Sequence, residues 1–198
     1  MQLARLSKLH SSAFARGVAI RMENNRSIFL YPFSLIYGAI TGIRNFLYNS
    51  GILPQHEFRI PVICIGNITV GGTGKTPQTE YLIELLGKSF SVATLSRGYM
   101  RKSRGFRIAT PSCNVSDMGD EPMQIFRKFP EITVAVDRNR VNGVNEILKE
   151  KPDTDVIILD DGFQHRSITP GFTILLTDFN RLMINDHLLP YGRLRESV

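Results

Sequence analysis

Short apolar runs alternate with amphipathic stretches along the chain from about residue 60 onward. Strand patterns lie at 60–65, 91–96, 131–136 and 172–178, and a fifth apolar run at 155–165 continues into acidic residues. Helical patterns lie between them, at 76–87, 119–129 and 141–150. Strands that alternate with helices predict an α/β fold with a mostly parallel sheet and helices on both faces. Polar residues that follow the strands should therefore converge at the carboxyl ends of the sheet.

An apolar stretch precedes this pattern. From Ser27 to Ile43 the sequence SIFLYPFSLIYGAITGI contains no charged residue, and Arg44 follows it. The run is slightly short for a membrane span and contains Pro32 and two glycines. We expect residues 27–50 to form an apolar N-terminal helix that associates with a membrane surface. A helix packed on the core of its own domain is the alternative.

The sequence GNITVGGTGKTP at 66–77 is typical of a phosphate-binding loop between a strand and a helix. Its glycines allow positive φ and bring backbone N–H groups close to an anion. Lys75 supplies a positive charge for the β- and γ-phosphates, and Thr76 a hydroxyl for Mg²⁺. Thr69 stands where the signature has its first glycine. The stretch nevertheless predicts a P-loop NTPase-like fold and a nucleotide site made of Thr69, Val70, Gly71, Gly72, Thr73, Gly74, Lys75 and Thr76.

Acidic residues follow two of the later elements. Asp160 ends an apolar strand, where its carboxylate would lie near the magnesium ion held by Thr76, and Asp161 adds a second negative charge. Asp120 and Glu121 open a helix. They are either ordinary acids of a first helical turn or groups that accept a proton from an attacking hydroxyl. Spacing alone leaves these alternatives open.

Composition limits the partners and the compartment. The formal net charge is +6, and residues 1–59 contribute +5 of it through seven Lys/Arg and two acids. The basic character therefore belongs to the N-terminal segment and not to a nucleic-acid-binding face on the core, so no nucleic-acid partner is expected. The segment is either a solvated basic tail or is attracted to anionic lipid. The two cysteines are far apart in sequence, which favours a reducing compartment over a disulfide scaffold or a zinc site. Residues 1–26 are interpreted as an extension; a start at Met22 is favoured over a targeting segment.

Five ordered motifs carry a family resemblance. GNITVGGTGKTP, SRGY, GDEP, DDGFQHR and LLPYGRLRE resemble the tetraacyldisaccharide 4'-kinases, the lipid A 4'-kinases of Gram-negative bacteria. The resemblance implies that ATP, with Mg²⁺, phosphorylates the 4'-hydroxyl of a tetraacyldisaccharide 1-phosphate, the lipid A precursor. It places the enzyme peripherally at the cytoplasmic face of the inner membrane and implies no stable protein partner. In this family Thr69 is the normal residue of the loop.

The resemblance also implies roles for individual residues. Asp120 is the base for the sugar hydroxyl, Glu121 and Asp161 support it, and Lys75 acts on the transferred phosphate. Thr76 and Asp160 hold the magnesium ion. Substrate and phosphates are contacted by Arg97, Arg140, Arg195 and Glu196.

The end of the chain differs from the family pattern. The family continues past LRE into a second lobe that contributes a catalytic histidine, whereas this sequence ends at Val198. We expect residues 51–198 to form the P-loop kinase lobe without that second lobe. A nucleotide-binding fragment without catalysis is therefore one alternative. A ParA/MinD-like regulatory ATPase is another alternative, although it would need a lysine at the position of Val70. A translational GTPase would need an N-K-x-D motif, which the sequence does not contain.

Overall fold

The computed structural model of the protein describes residues 28–179 and 182–197, so the predicted extension at 1–26 lies outside the described residues. Within them, six strands form one sheet in the order β3-β4-β2-β5-β1-β6. Strand β3 pairs antiparallel to β4, and all other neighbours are parallel. The strands are Val62–Asn67 (β1), Val92–Ser96 (β2), Arg107–Ile108 (β3), Thr133–Val136 (β4), Val156–Asp160 (β5) and Phe172–Leu176 (β6).

Five α-helices accompany the sheet in the described part of the chain. Two short 3₁₀ helices, Ile28–Leu30 and Met183–Asn185, lie near its two ends. The sequence pattern missed α3, a single turn begun by a capping box on Asn114, and the two-residue strand β3. The α-helices are Tyr31–Asn49 (α1), Lys75–Leu86 (α2), Val115–Met118 (α3), Asp120–Lys128 (α4) and Arg140–Glu150 (α5).

The core lies on both faces of the sheet, because alternate residues of a strand point to opposite sides. On β5, Ile158 packs in the cluster that contains Leu82 of α2. Its neighbour Ile157 packs in the other cluster, with Val144 of α5. Both strand residues are fully buried. The predicted α/β fold, with a mostly parallel sheet covered on both faces, is confirmed.

Helix α1 is oriented with its apolar face outward. Phe33, Ile36, Ile40 and Ile43 repeat at helical spacing and are each about 60% exposed. The opposite face, which includes the buried Ser34, is more polar and lies against the protein. The packed-helix alternative expects this apolar face to be buried, whereas it is exposed in the structure. No helix of the described residues is long and apolar enough to cross a membrane.

Residues 187–196, here called the C-terminal segment, join α1 to the glycine loop. Ser34 Oγ donates to the carbonyl of Leu188 at 2.9 Å, and Tyr37 Oη donates to the carbonyl of Arg195 at 2.9 Å. On its other side the segment pairs with the loop through an antiparallel bridge between Thr69 and Leu194. The segment therefore contacts both the outward-facing helix and the predicted nucleotide site.

Candidate active site

The loop between β1 and α2 has the backbone of an anion-binding turn. Gly71 and Gly74 adopt φ of +138° and +82°, and Gly74 directly precedes α2. A Cβ atom built at Gly71, Gly72 or Gly74 would meet no atom within 4 Å, so open space lies beside the loop. The loop thus presents backbone at the N-terminus of a 12-residue helix, where the helix dipole favours a phosphate.

Thr69 and Val70 hold the loop in place from one side. Thr69 is buried and forms the bridge with Leu194, and the N–H of Val70 donates to the carbonyl of Arg193 at 2.8 Å. Pairing with the C-terminal segment requires extended backbone at Thr69, which explains a β-branched residue where other loops have glycine. The backbone donor of Val70 is already used, so the phosphate-facing part of the predicted site is 71–76.

Lys75 is the first residue of α2 and points toward two acceptors. Its Nζ lies 3.3 Å from Asn67 Oδ1 and 3.5 Å from Asp161 Oδ1. Asp161 adopts a φ of +52°, a left-handed conformation that aspartate tolerates better than most residues. Arg195 Nη1 lies 3.9 Å from its other oxygen. The carboxylate of Asp161 therefore lies between two cations at the mouth of the site.

Asp160 ends β5 beside β1, in register with Ile65. It is 2% exposed and accepts a hydrogen bond from Thr79 Oγ1 at 3.3 Å. Burial, followed by the charges of Glu121 and Asp161, raises the pKa of Asp160 to about 6. Asp160 is thus a buried carboxylate next to the loop, with the more exposed carboxylates of Glu121 and Asp161 close to it.

This donor set fits Mg²⁺, which prefers oxygen ligands and would relieve the mutual repulsion of the carboxylates. Asp160 is the central ligand candidate, with Thr76 in the first turn of α2 beside the loop. Among the described residues there is no cluster of three or more His, Cys, Asp or Glu side chains with the geometry of a complete metal cage. A site with few protein ligands is the usual arrangement where phosphates supply the remaining oxygens.

A pocket of about 380 Å³ lies at the carboxyl ends of β1, β2 and β5, and Lys75, Asp160 and Asp161 line it. The predicted convergence of polar residues at this edge is therefore observed. Residues 69–74 and Thr76 are not among the lining residues. Glu121 lines the pocket, whereas Asp120, the exposed first residue of α4, does not. Besides Glu121, the following acidic and basic side chains line the pocket: Lys75, Arg97, Arg140, Asp160, Asp161, His165 and Arg195.

Arg140 is a buried cation in the lining of the pocket. It begins α5, is 1% exposed and donates through Nη1 to the carbonyl of Asp137. Its Nε and Nη2 have no hydrogen-bond partner among the described residues. Burial lowers the pKa of Arg140 to about 10, so the group stays charged at neutral pH. A buried guanidinium with two unused donors is suited to a phosphate.

One predicted substrate contact, Glu196, lies outside the pocket. Glu196 is buried and pairs with Arg44 of α1 at 3.7 Å, outside the residues that line the pocket. In the basic stretch after Ser96, Arg97 lines the pocket, but Arg101 is buried and donates to the carbonyl of Gly105 at 2.7 Å. Arg101 therefore stabilises its own loop.

Two glycines fix the distance between that basic loop and α4. A Cβ atom on Gly98 would lie 2.7 Å from the carbonyl oxygen of Met118, and one on Gly119 would lie 2.8 Å from that of Tyr99. Both glycines have positive φ, +66° and +96°. The SRGY and GDEP motifs therefore meet backbone against backbone, and this contact places Glu121 on the pocket wall.

Sequence reasoning missed Asn67, Thr79 and the lining role of His165. Thr79 lies one turn after Lys75 on α2, so the helical period of four could have identified it. His165 is close to two arginines; burial, then Arg140 and Arg97, lowers its pKa to about 4, which keeps the imidazole neutral at pH 7. Asn67 lies within the GNITVGGTGKTP motif, two residues before the predicted loop, and its contact with Lys75 was not predicted.

Comparison with known proteins gave consistent matches. The model of the family described as tetraacyldisaccharide-1-P 4'-kinase matches residues 26–198. A tetraacyldisaccharide 4'-kinase of Flavobacterium psychrophilum is 57% identical over 168 residues, 85% of this chain and 49% of the relative. One of Bacteroides thetaiotaomicron is 56% identical over 170 residues, 85% of this chain and 45% of the relative.

A solved structure agrees with these sequences. LpxK from Aquifex aeolicus, crystallised in complex with ATP, is 41% identical with a TM-score of 0.78 and covers 84% of this chain and 53% of its own. The chain spans about half the length of the curated relatives it matches. The matches do not favour the ParA/MinD-like alternative.

Proposed function

The chain belongs to the tetraacyldisaccharide-1-P 4'-kinase family, and on that premise we propose that it binds ATP with Mg²⁺ and phosphorylates the 4'-hydroxyl of a tetraacyldisaccharide 1-phosphate. The observation that supports the proposal best is the pocket at the sheet edge, where Lys75 and Arg140 offer donors to phosphates beside the buried carboxylate of Asp160. The glycine loop directly precedes Lys75. Little covalent chemistry is needed in phosphoryl transfer, so such positioned charges account for most of the catalysis.

In this mechanism the loop and Lys75 bind the β- and γ-phosphates, and Arg140 and Arg195 bind further phosphate oxygens. Asp160 and Thr76 would hold the magnesium ion, which offsets negative charge on the phosphates when bound. Arg97, on the pocket wall, faces the phosphorylated headgroup of the acceptor.

Asp120 is the proposed base. It takes the proton of the 4'-hydroxyl while the hydroxyl oxygen bonds to the γ-phosphorus and the bond to ADP breaks. Its exposed position at the start of α4 leaves it accessible to a large acceptor arriving from outside the pocket. The charge of Glu121 helps to raise the pKa of Asp160, so Glu121 supports the base by adding negative charge at the proposed cation site.

The acceptor carries acyl chains, and we propose that α1 brings the protein to the cytoplasmic surface of the inner membrane. Its outward apolar face is one signal for interfacial binding, and the net charge of +5 that residues 1–59 carry is the second. This proposal accounts for an exposed row of Phe33, Ile36, Ile40 and Ile43 that otherwise faces water.

Substitution of Lys75 tests the proposal. We expect Lys75→Ala to lower phosphoryl transfer to the tetraacylated acceptor in detergent by about 10²–10³-fold, since a preorganised charge on the transferred phosphate is lost. Lys149→Ala, which removes a surface lysine paired with Glu146, is the matched control and should leave turnover unchanged. Turnover by Lys75→Ala close to that of the control would contradict the assignment of the loop.

A further inference from the structure

Asn67 lies at the end of β1 beneath the glycine loop and contacts it at three points. Its side chain is 1% exposed. Nδ2 donates to Thr73 Oγ1 at 2.8 Å and to the carbonyl of Gly71 at 3.4 Å, and Oδ1 accepts from Lys75 Nζ at 3.3 Å. One buried amide therefore joins the first, middle and last parts of the phosphate-facing loop.

The chemistry of an amide suits both ends of this contact. A side-chain amide offers a donor and an acceptor at once, so it satisfies the loop on one side and the lysine on the other. It is also neutral. An acceptor without charge orients the Lys75 ammonium and leaves its positive charge available for a phosphate, whereas a buried carboxylate at the same place would pair with it.

We propose that Asn67 is a positioning residue for Lys75: it holds the ammonium over the glycine loop and shapes the loop through Thr73. The inference rests on the proposed function, because it concerns how that site binds the β- and γ-phosphates. Asp161, the other acceptor of Lys75, is half exposed and also faces Arg195. The buried amide of Asn67 therefore orients the ammonium of Lys75, whereas the half-exposed Asp161 is a less confined partner of it.

The experiment measures the affinity of the full 198-residue chain for ATP and for AMP, with thermal unfolding recorded for every variant. AMP lacks the phosphates that Lys75 contacts, so it reports on the rest of the site. We expect Asn67→Ala to weaken ATP binding about tenfold and AMP binding less than threefold, since a hydrogen bond to a charged group is lost. Asn67→Asp, which keeps the shape, should weaken ATP binding at least as much.

Gln124→Ala is the control, because Gln124 makes a comparable side-chain hydrogen bond to Glu80 on the exposed surface of α4. It should bind both nucleotides as the wild type does. Equal losses for ATP and AMP in Asn67→Ala, or wild-type ATP affinity in a folded Asn67→Asp, would overturn the inference. If one of the two variants fails to fold, the other still decides. A wild-type chain that binds neither nucleotide would instead refute the proposed function on which the inference depends.

Discussion

At the scale of single residues, poor solvation makes the charged form of Asp160 unfavourable. Asp160 is buried beside Glu121 and Asp161, and its pKa is raised from an ordinary 3.8 to about 6. The folded protein therefore binds this proton more tightly than the unfolded chain does. Between about pH 4 and pH 6 the contribution of Asp160 to the free energy of unfolding falls as pH rises, and it stays low at higher pH.

Removal of this charge should stabilise the protein. We expect Asp160→Asn to raise the free energy of unfolding at pH 7 by roughly 2–3 kcal/mol relative to wild type, an order-of-magnitude figure from the pKa shift. The difference should shrink toward zero near pH 4. Urea unfolding of both proteins at several pH values, with a chelator present, measures it. An Asp160→Asn protein that is no more stable at pH 7 would show that the carboxylate is better solvated than its burial indicates.

The same residues show what sequence could predict. The glycines of the loop, Lys75 and Asp160 were identified because their chemistry depends on local spacing, which the sequence contains. The burial of Glu196 was not, because it depends on a contact with Arg44 in a distant part of the chain. Asn67 was not either: its partners are at most eight residues away, but the contacts form only when the loop folds back over the end of β1. Their roles follow from neighbours that only the fold brings together.

At the scale of elements, α1 reverses the usual polarity of a surface helix. Its inner face contacts the protein through hydrogen bonds such as that of Tyr37, while its aliphatic residues point outward. The apolar run is visible in the sequence, but the direction that it faces is not, because helical periodicity is the same for an inward and an outward apolar face. An outward apolar stripe of this size indicates an interaction surface.

Vesicle binding should depend on this stripe. We expect the triple variant Ile36→Gln, Ile40→Gln, Ile43→Gln to lose most of its co-sedimentation with anionic phospholipid vesicles, since buried apolar area drives interfacial binding. Each of these residues is exposed, so the fold should be retained, as circular dichroism would show. The control replaces exposed apolar residues of α2, with Tyr81→Gln and Leu85→Gln. Equal vesicle binding by both variants would argue against α1 as the membrane-contacting element.

At the scale of the whole molecule, the C-terminal segment makes α1 and the nucleotide loop one connected unit. Arg195 illustrates this: its carbonyl accepts from Tyr37, its N–H donates to the carbonyl of Ile68 at 2.7 Å, and its guanidinium faces Asp161. The alternating pattern predicted the strands and helices of the sheet. The strand order and this long-range connection required packing between elements that no local signal specifies.

Loss of the hydrogen bonds between α1 and the C-terminal segment should therefore change the affinity of the site for ATP. We expect the double variant Ser34→Ala, Tyr37→Phe to weaken ATP binding by about threefold, since two hydrogen bonds that hold the C-terminal segment are lost. Tyr81→Phe on the exposed surface of α2 is the control. Calorimetric titration of ATP into the three proteins provides the comparison. An affinity unchanged in the double variant would show that the loop keeps its shape without support from α1.

The contact between Gly98 and Gly119 has a consequence for the way this sequence can vary. Each position lacks room for a Cβ atom and requires a backbone conformation that other residues avoid, so a change at one cannot be compensated at the other. In a saturation library selected for activity, both positions should return glycine alone, while exposed neighbours such as Lys102 and Arg104 vary widely. Two glycines, 21 positions apart in two short motifs, would thus be conserved together because neither position has room for a side chain.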